Sequence, residues 1–296
     1  MLVDPVCGMA VDAERPPATS EVGGTVYRFC STGCKVAFDH NPARYLGVEA
    51  GALVTTGATP QQRSVAGETR VLVRTVDLRK TYLRGRERVP ALQGITVDVN
   101  EAELAIIMGP SGCGKSTLLH LLGGIDRPDS GQVSFGGQDL SQMGDRELTR
   151  FRREKVGFIF QFYNLVPTLS AVENVELPLI ALSFPRRGRK KMAEEILEVV
   201  GLGDRQRHRP SELSGGEQQR VAIARAIVAN PRLILGDELT GDLDSKSAET
   251  IMDLLVGLNR ELGLTFILVT HNPEVAERGT RIIHLRDGQA ERDERR

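Results

Sequence analysis

Two glycine-rich segments limit what this chain can fold into: GPSGCGKST, Gly109 to Thr117, and LSGGEQQR, Leu213 to Arg220. Gly109, Gly114, Lys115 and Ser116 fit the G-x-x-x-x-G-K-[ST] pattern. LAIIM before it, Leu104 to Met108, predicts a short buried strand, and TLLHLL within and after it predicts a helix. A strand, a glycine-rich turn and a helix N-terminus aim several backbone N–H groups at one anion, and the helix dipole adds to them. Phosphate suits that geometry. Lys115 would reach the β- and γ-phosphate oxygens, and the Ser116 hydroxyl would be a magnesium ligand. Nucleotide binding is thus expected of Gly109, Pro110, Ser111, Gly112, Cys113, Gly114, Lys115, Ser116 and Thr117, with Cys113 read as a small residue at a variable position.

In the second segment, Ser214 and Glu217 have the S-x-x-E spacing of a capping box, followed by Val221, Ala224, Ile227 and Val228 at helical spacing. Gly215 and Gly216 leave the first helical N–H groups unshielded, which makes a second anion site with no lysine of its own. Two further apolar strands end in ionisable groups: LILGDE, Leu233 to Glu238, in two carboxylates, and ILVTH, Ile267 to His271, in a histidine. All of these groups would gather at the carboxyl ends of parallel strands, where open α/β sheets bind ligands. Adjacent carboxylates at a strand end point different ways, so one can serve the metal and the other a water.

On these motifs, over about Arg70 to Gly288, the chain resembles the ATP-binding subunits of ABC transporters. The resemblance implies an α/β fold: a P-loop NTPase cassette with a RecA-like core, an antiparallel β subdomain and a helical signature subdomain, spanning residues 70–290. It also implies roles. Tyr82 would stack on adenine. Gln161 would touch magnesium and the attacking water and relay motion to a membrane partner. Asp237 would hold magnesium, Glu238 would be the general base, and His271 would contact the γ-phosphate. Asp244 would lie across a dimer interface. Each motif occurs once, and in the family Ser214, Gly215 and Gly216 complete the ATP site of the other subunit. The working unit expected is therefore a homodimer closing on two Mg2+–ATP.

The stretch LGDELTGDLD departs from the family's commonest pattern. Leu239 replaces a usual proline, Gly236 a common alanine, and Asp242 a small or amide residue. A looser turn after Glu238 and an extra charge near the triphosphate predict an active but slow ATPase.

FQFYNLVPTLSAVENVELPL and TLLHLLGGIDRPDSG resemble the branch serving lipoprotein release and macrolide export. Ser170 and Glu173 have capping-box spacing and predict a helix near the coupling surface. PRRGRKK, Pro185 to Lys191, reads as a solvated loop entering a helix that shows Ala193, Ile196, Leu197 and Val200 on one face and stops at Gly201. The sequence shows no secretory signal, and no apolar run approaches the roughly 18 residues of a membrane span. A separate integral membrane permease is expected as partner, with this chain peripheral at the cytoplasmic face of the membrane. The formal charge of −1 offers no global attraction to nucleic acid, and none is expected as a partner.

The first 47 residues are a different object, a small cysteine-containing α+β module. DPVCGMAVD and VYRFCSTGCKVAFDHNPARYL resemble the YHS family of metal-associated modules. Cys30 and Cys34 are spaced within the range of paired thiolate ligands, and Cys7 beside Gly8 supplies a third sulfur. Three soft ligands suit Zn2+ or Cu+. Arg28 stands where the family name has histidine, and Asp4 and His40 are equally bystanders or ligands. Residues 48–69, rich in Gly, Ala, Thr and Gln without periodicity, read as a flexible linker, and 291–296 as a charged, frayed tail. Two other classes stay open: a soluble ABC ATPase acting on DNA or the ribosome, and a metal-sensing protein with a regulatory ATPase.

Overall fold

The computed structural model describes residues 2–6, 10–11, 16, 18–29, 34–35, 38, 42–46 and 70–296. The linker read at 48–69 lies outside the described residues.

In the N-terminal module, β1 (Leu2–Val3) pairs antiparallel with β2 (Ala10–Val11), and β3 (Ala18–Val22) with β4 (Thr25–Phe29). The second hairpin turns on Gly23 and Gly24, both at positive φ (61° and 77°), the backbone that two-residue hairpin loops require. Phe38 is fully buried, with its ring 5.0 Å from Phe29 and 4.8 Å from Tyr27. Tyr45 of α1 (Pro42–Leu46) completes this aromatic centre. Asp4 is buried and accepts a hydrogen bond from the Val6 N–H, a local turn of the kind aspartate favours.

The cassette begins with a long strand. β5 (Val71–Arg84) pairs antiparallel with β6 (Glu87–Ile95), β7 (Asp98–Asn100) and β9 (Ser130–Phe135), and β10 (Gln138–Asp139) extends the sheet beside β9. The second sheet runs β11 (Val156–Ile159), β12 (Leu233–Asp237), β13 (Thr265–Thr270), β8 (Leu104–Met108), β14 (Arg281–Arg286), β15 (Gln289–Arg295). All but β15 are parallel. LAIIM, LILGD and TFILVT are apolar almost without interruption because both faces of the sheet are covered. The helix α2 (Lys115–Leu122) packs on one face through Leu118, Leu119, Leu121 and Leu122.

Three helices follow β11 and the α3 helix (Asp145–Lys155): α4 (Ala171–Ala181), α5 (Arg186–Val199) and α6 (Gly215–Ile227). They pack on one another, and α6 also lies against β11. α4 opens on the predicted capping box: the Ser170 N–H donates to Glu173 at 2.8 Å and Ser170 Oγ accepts from the Glu173 N–H. α5 stops at Gly201, φ 72°, after burying Ala193, Ile196 and Leu197. α7 (Ser245–Leu262) is capped by Asp244 at its start and by Gly263, φ 64°, at its end.

Two readings of the sequence are corrected. The basic run at 185–191 is not a loop, because α5 starts at Arg186 and takes the run into its first two turns. Ion pairs along the helix hold it there, Lys190 with Glu194 and Lys191 with Glu195, and Arg189 pairs with Glu176 of α4. Residues 291–296 are not frayed, since β15 pairs along β14 from Arg281↔Arg295 to Arg286↔Gln289. The reason is a buried guanidinium. Arg281 is 2% exposed, and its Nε lies 2.7 Å from Asp293 Oδ1, with Glu103 at 3.5 Å and the Asp98 carbonyl as further partners. Charge alone suggested a tail, whereas the charge is what pins the strand.

The hydrogen bonds from Arg281 hold the Asp293 carboxyl below the usual carboxylate range, outweighing the opposing effect of burial. A depressed folded-state pKa stabilises the fold above the ordinary carboxylate range, and that contribution is lost as pH falls through the lowered value. Asp293→Ala should lower unfolding free energy in urea by roughly 1–2 kcal/mol at pH 7. It should also flatten the acid limb of the stability profile relative to the parent chain.

Candidate functional site

The site assembles at the carboxyl ends of β8, β12 and β13. β8 ends at Met108, and the chain then turns through Gly109 to Gly114 into α2. The glycines are sterically required. A Cβ on Gly109 would stand 2.1 Å from the Leu285 carbonyl oxygen and 2.8 Å from Cys113 Sγ. On Gly114, φ 105°, it would stand 2.4 Å from the Ala91 carbonyl oxygen. Cys113 packs under the loop: it is 4% exposed, and burial raises its thiol pKa. Pro110, Ser111 and Gly112 are exposed at the loop tip. Gly114 offers no side-chain cap to α2, so the first helical N–H groups stay available for a ligand.

Lys115 is 5% exposed, and its Nζ donates to the carbonyls of Gly109 (2.8 Å) and Pro110 (3.0 Å) in its own loop. It also lies 3.9 Å from Glu238 Oε1. Glu238 Oε1 is 3.2 Å from His271 Nδ1. Ser116 Oγ donates to Asp237 Oδ1 at 3.1 Å. Burial raises the Asp237 pKa, as does the neighbouring Glu238 carboxylate, while the Ser116 hydrogen bond opposes them. A hydroxyl and a carboxylate with no thiol or imidazole between them form a hard oxygen donor set, which fits Mg2+. Lys115, Ser116, Asp237, Glu238 and His271 are thus one connected group, although they come from three strand ends.

Gln161 follows β11, and its Nε2 would stand 3.6 Å from a Cβ on Gly241, in the turn after Glu238. Two and three residues on, Tyr163 and Asn164 have positive φ of 57° and 47°. Arg225 of α6 holds that turn by donating to the carbonyls of Tyr163 (2.7 Å) and Asn164 (2.6 Å). Burial lowers the Arg225 pKa. Asn174 of α4, fully buried, satisfies the following turn through Val166, Leu169 and Ser170. Neither residue stands out in the sequence, because a single arginine or asparagine in an amphipathic helix carries no pattern.

Tyr82 lies on β5, 40% exposed, with its hydroxyl donating to Asp126 Oδ2 at 2.8 Å and Lys80 Nζ 5.2 Å from its ring centre. Asp126 went unnoticed in the sequence. Burial opposes its ionisation, but the hydrogen bonds from Lys80, the Arg127 N–H and Tyr82 prevail and lower its pKa. An exposed ring with its hydroxyl tethered presents an edge-anchored face beside the N-terminal turn of α2.

Within the chain the second glycine segment meets the turn after Gln161 but not the phosphate loop. Ser214 Oγ accepts from the Glu217 N–H and donates to Glu217 Oε2 at 2.8 Å. Cβ atoms on Gly215 and Gly216 would meet Tyr163, Leu243 and Ser247, not the Gly109 loop. Asp244 is likewise engaged locally, with its carboxylate accepting from the Ser247 N–H (3.0 Å) and Oγ (2.6 Å). In the N-terminal module Cys34 is fully buried, while Cys7, Cys30 and His40 lie outside the described residues. Among the described residues no group of three or more His, Cys, Asp or Glu is placed to hold a metal ion, and no helix is long and apolar enough to cross a membrane.

Comparison with known proteins places these features in a family. The model of the ABC transporter family matches residues 92–241, and that of the YHS domain residues 2–49. The chain is 54% identical to an uncharacterized ABC transporter ATP-binding protein of Thermotoga maritima, over 75% of this chain and 94% of that one. It is 45% identical to the lipoprotein-releasing system ATP-binding protein LolD of Syntrophus aciditrophicus, over 74% and 98% of the two chains. Among solved structures it resembles the ATP-binding cassette MJ0796 of Methanocaldococcus jannaschii, described as a dimer in a post-hydrolysis state bound to ADP and Pi. That match has a TM-score of 0.71 and 46% identity, covering 76% of this chain and 98% of the other. The chain belongs to the ABC transporter family as an ATP-binding subunit, with a YHS domain ahead of its cassette.

Proposed function

We propose that this chain is the ATP-hydrolysing subunit of a membrane transporter and works as a homodimer that closes on two ATP molecules and drives a separate permease. The observation that carries the reading is the connected group of Lys115, Ser116, Asp237, Glu238 and His271 beneath an uncapped helix N-terminus. Hydrolysis moves the γ-phosphoryl group of ATP to water, giving ADP and inorganic phosphate. Such a transfer demands charge neutralisation and an aligned water more than covalent help. Lys115 leaves its two loop carbonyls for the β- and γ-phosphate oxygens, and the N–H groups of the loop bind beside it. Ser116, Asp237 and Gln161 would hold Mg2+, which would supply charge neutralisation for the phosphates. Glu238 accepts the proton of the attacking water, and His271, paired with the same carboxylate, orients it and contacts the γ-phosphate. Tyr82 stacks on adenine.

Ser214, Gly215 and Gly216 serve the partner's ATP, and Asp244 lies at the same interface. Their surroundings support this, since within one chain Gly215 and Gly216 approach Tyr163, Leu243 and Ser247 and not the phosphate loop, and Asp244 bonds Ser247. The likeness to a dimeric cassette supports it too. The permease, the peripheral position on the cytoplasmic face of the membrane and the absence of a nucleic-acid partner follow from the transporter reading. So does the place of the chain in the lipoprotein-release and macrolide-export branch. The YHS domain binds a soft metal ion, Zn2+ or Cu+, through Cys7, Cys30 and Cys34, supported by thiol number and spacing.

Replacing Glu238 with Gln should lower the steady-state ATPase rate about a hundredfold or more while ATP still binds. An unchanged turnover would remove Glu238 from the base role. Native mass spectrometry of the full chain should show one metal ion per chain, lost in a variant with Cys7, Cys30 and Cys34 all changed to Ser. Equal metal content in both proteins would refute the thiol site.

A further inference from the structure

We propose that Leu239 is a positioning residue for Glu238, and that Gly236 exists to admit it. Glu238 has a backbone φ of 44°, the left-handed region that a residue with a Cβ rarely occupies. Such a conformation persists only where the surroundings over-determine it. Two backbone hydrogen bonds contribute: the Glu238 N–H donates to the Val269 carbonyl at 3.1 Å, and the Gly241 N–H to the Glu238 carbonyl at 3.1 Å. The third constraint is the next side chain. Leu239 is 5% exposed and turns back over β12, whose Gly236 has no side chain to oppose it.

A side chain at position 236 has room only if Leu268 and Leu239 yield. A methyl group on Gly236 would stand 2.9 Å from Leu239 Cδ1 and 3.1 Å from Cδ2, with Leu268 Cδ2 of the paired strand at 2.7 Å. Carbon atoms make ordinary contact near roughly 3.5–4.0 Å, so an added methyl at position 236 and the Leu239 side chain compete for one volume. The wedge fixes the peptide that follows Glu238, and with it the direction in which the carboxylate leaves the backbone toward Lys115 and His271. The two residues that depart from the usual pattern around the carboxylates are therefore one coupled feature. The turn after Glu238 is held by packing and is not loose, which revises the expectation drawn from the missing proline.

The proposal rests on the reading of Glu238 as the general base, and a double-mutant cycle tests it with the full chain and Mg2+–ATP. Leu239→Ala removes the wedge and Gly236→Ala displaces it, and each should lower kcat about tenfold, since small displacements of a catalytic group are costly. The KM for ATP should stay within about twofold, because ground-state binding is untouched. In the double variant the two Leu239 contacts are relieved and only the end of the Leu268 side chain must yield to the methyl group at position 236, so kcat should recover above either single variant. Leu239→Met, which refills the volume, should keep near-parental kcat and serves as the probe if Gly236→Ala fails to fold. Parental kcat in Leu239→Ala, or a double variant whose loss equals the product of the two single losses, would overturn the proposal. Glu238→Gln assayed alongside separates the two failures: retained turnover there defeats the base assignment, and lost turnover with an additive cycle defeats the Leu239 assignment alone.

Discussion

The in-register parallel pairing of Leu104–Met108, Leu233–Asp237 and Thr265–Thr270 is the constraint on which the rest depends. It sets Asp237 opposite Val269 and Thr270 opposite Met108, so the phosphate loop, the acidic pair and His271 leave the sheet at one edge. Because side chains alternate along a strand, a slip of one residue in β12 would turn Asp237 toward the opposite face. These strands are buried on both faces, so a slip that drew Asp237 inward from the strand end would carry a carboxylate into apolar packing away from Ser116.

On this frame, each polar group of the site is held by a local partner. Lys115 binds its own loop carbonyls, Glu238 meets His271, Ser214 bonds Glu217 and Asp244 bonds Ser247. In the proposed cycle Lys115 exchanges its loop carbonyls for phosphate oxygens, while the Glu238–His271 pair is kept. Arg225 ties α6 to the turn after Gln161 through two carbonyls, and Gln161 itself lies beside Gly241 in the turn after Glu238.

Much of the cassette was legible in the sequence because its central parallel strands are largely apolar runs and several of its helices open on side-chain caps. LAIIM, LILGD, the Ser170–Glu173 and Ser214–Glu217 boxes and the stop at Gly201 all lie where pattern predicts. Two segments were misread for one reason: composition was taken as exposure. The basic run at 186–191 opens a helix whose other face buries Met192, Ala193, Ile196 and Leu197, with glutamates four residues on pairing with its lysines, and the charged C-terminal stretch is a strand pinned by Arg281 and Asp293. Asp126, Arg225 and Asn174 were invisible because their partners are distant in sequence and mostly backbone carbonyls. Leu239 was noticed only as an anomaly, since a side chain and the missing side chain that accommodates it are linked by contact and not by any motif.

The central claim is that Ser214, Gly215 and Gly216 act on the ATP held by another copy of the chain. Mixing two inactive variants, Lys115→Ala and Ser214→Arg, tests it most directly. A mixed dimer then pairs one intact phosphate loop with one intact signature helix. The account predicts ATPase activity in the mixture above that of either variant alone. A mixture as inactive as its components, with mixed dimers demonstrated by subunit exchange, would contradict it.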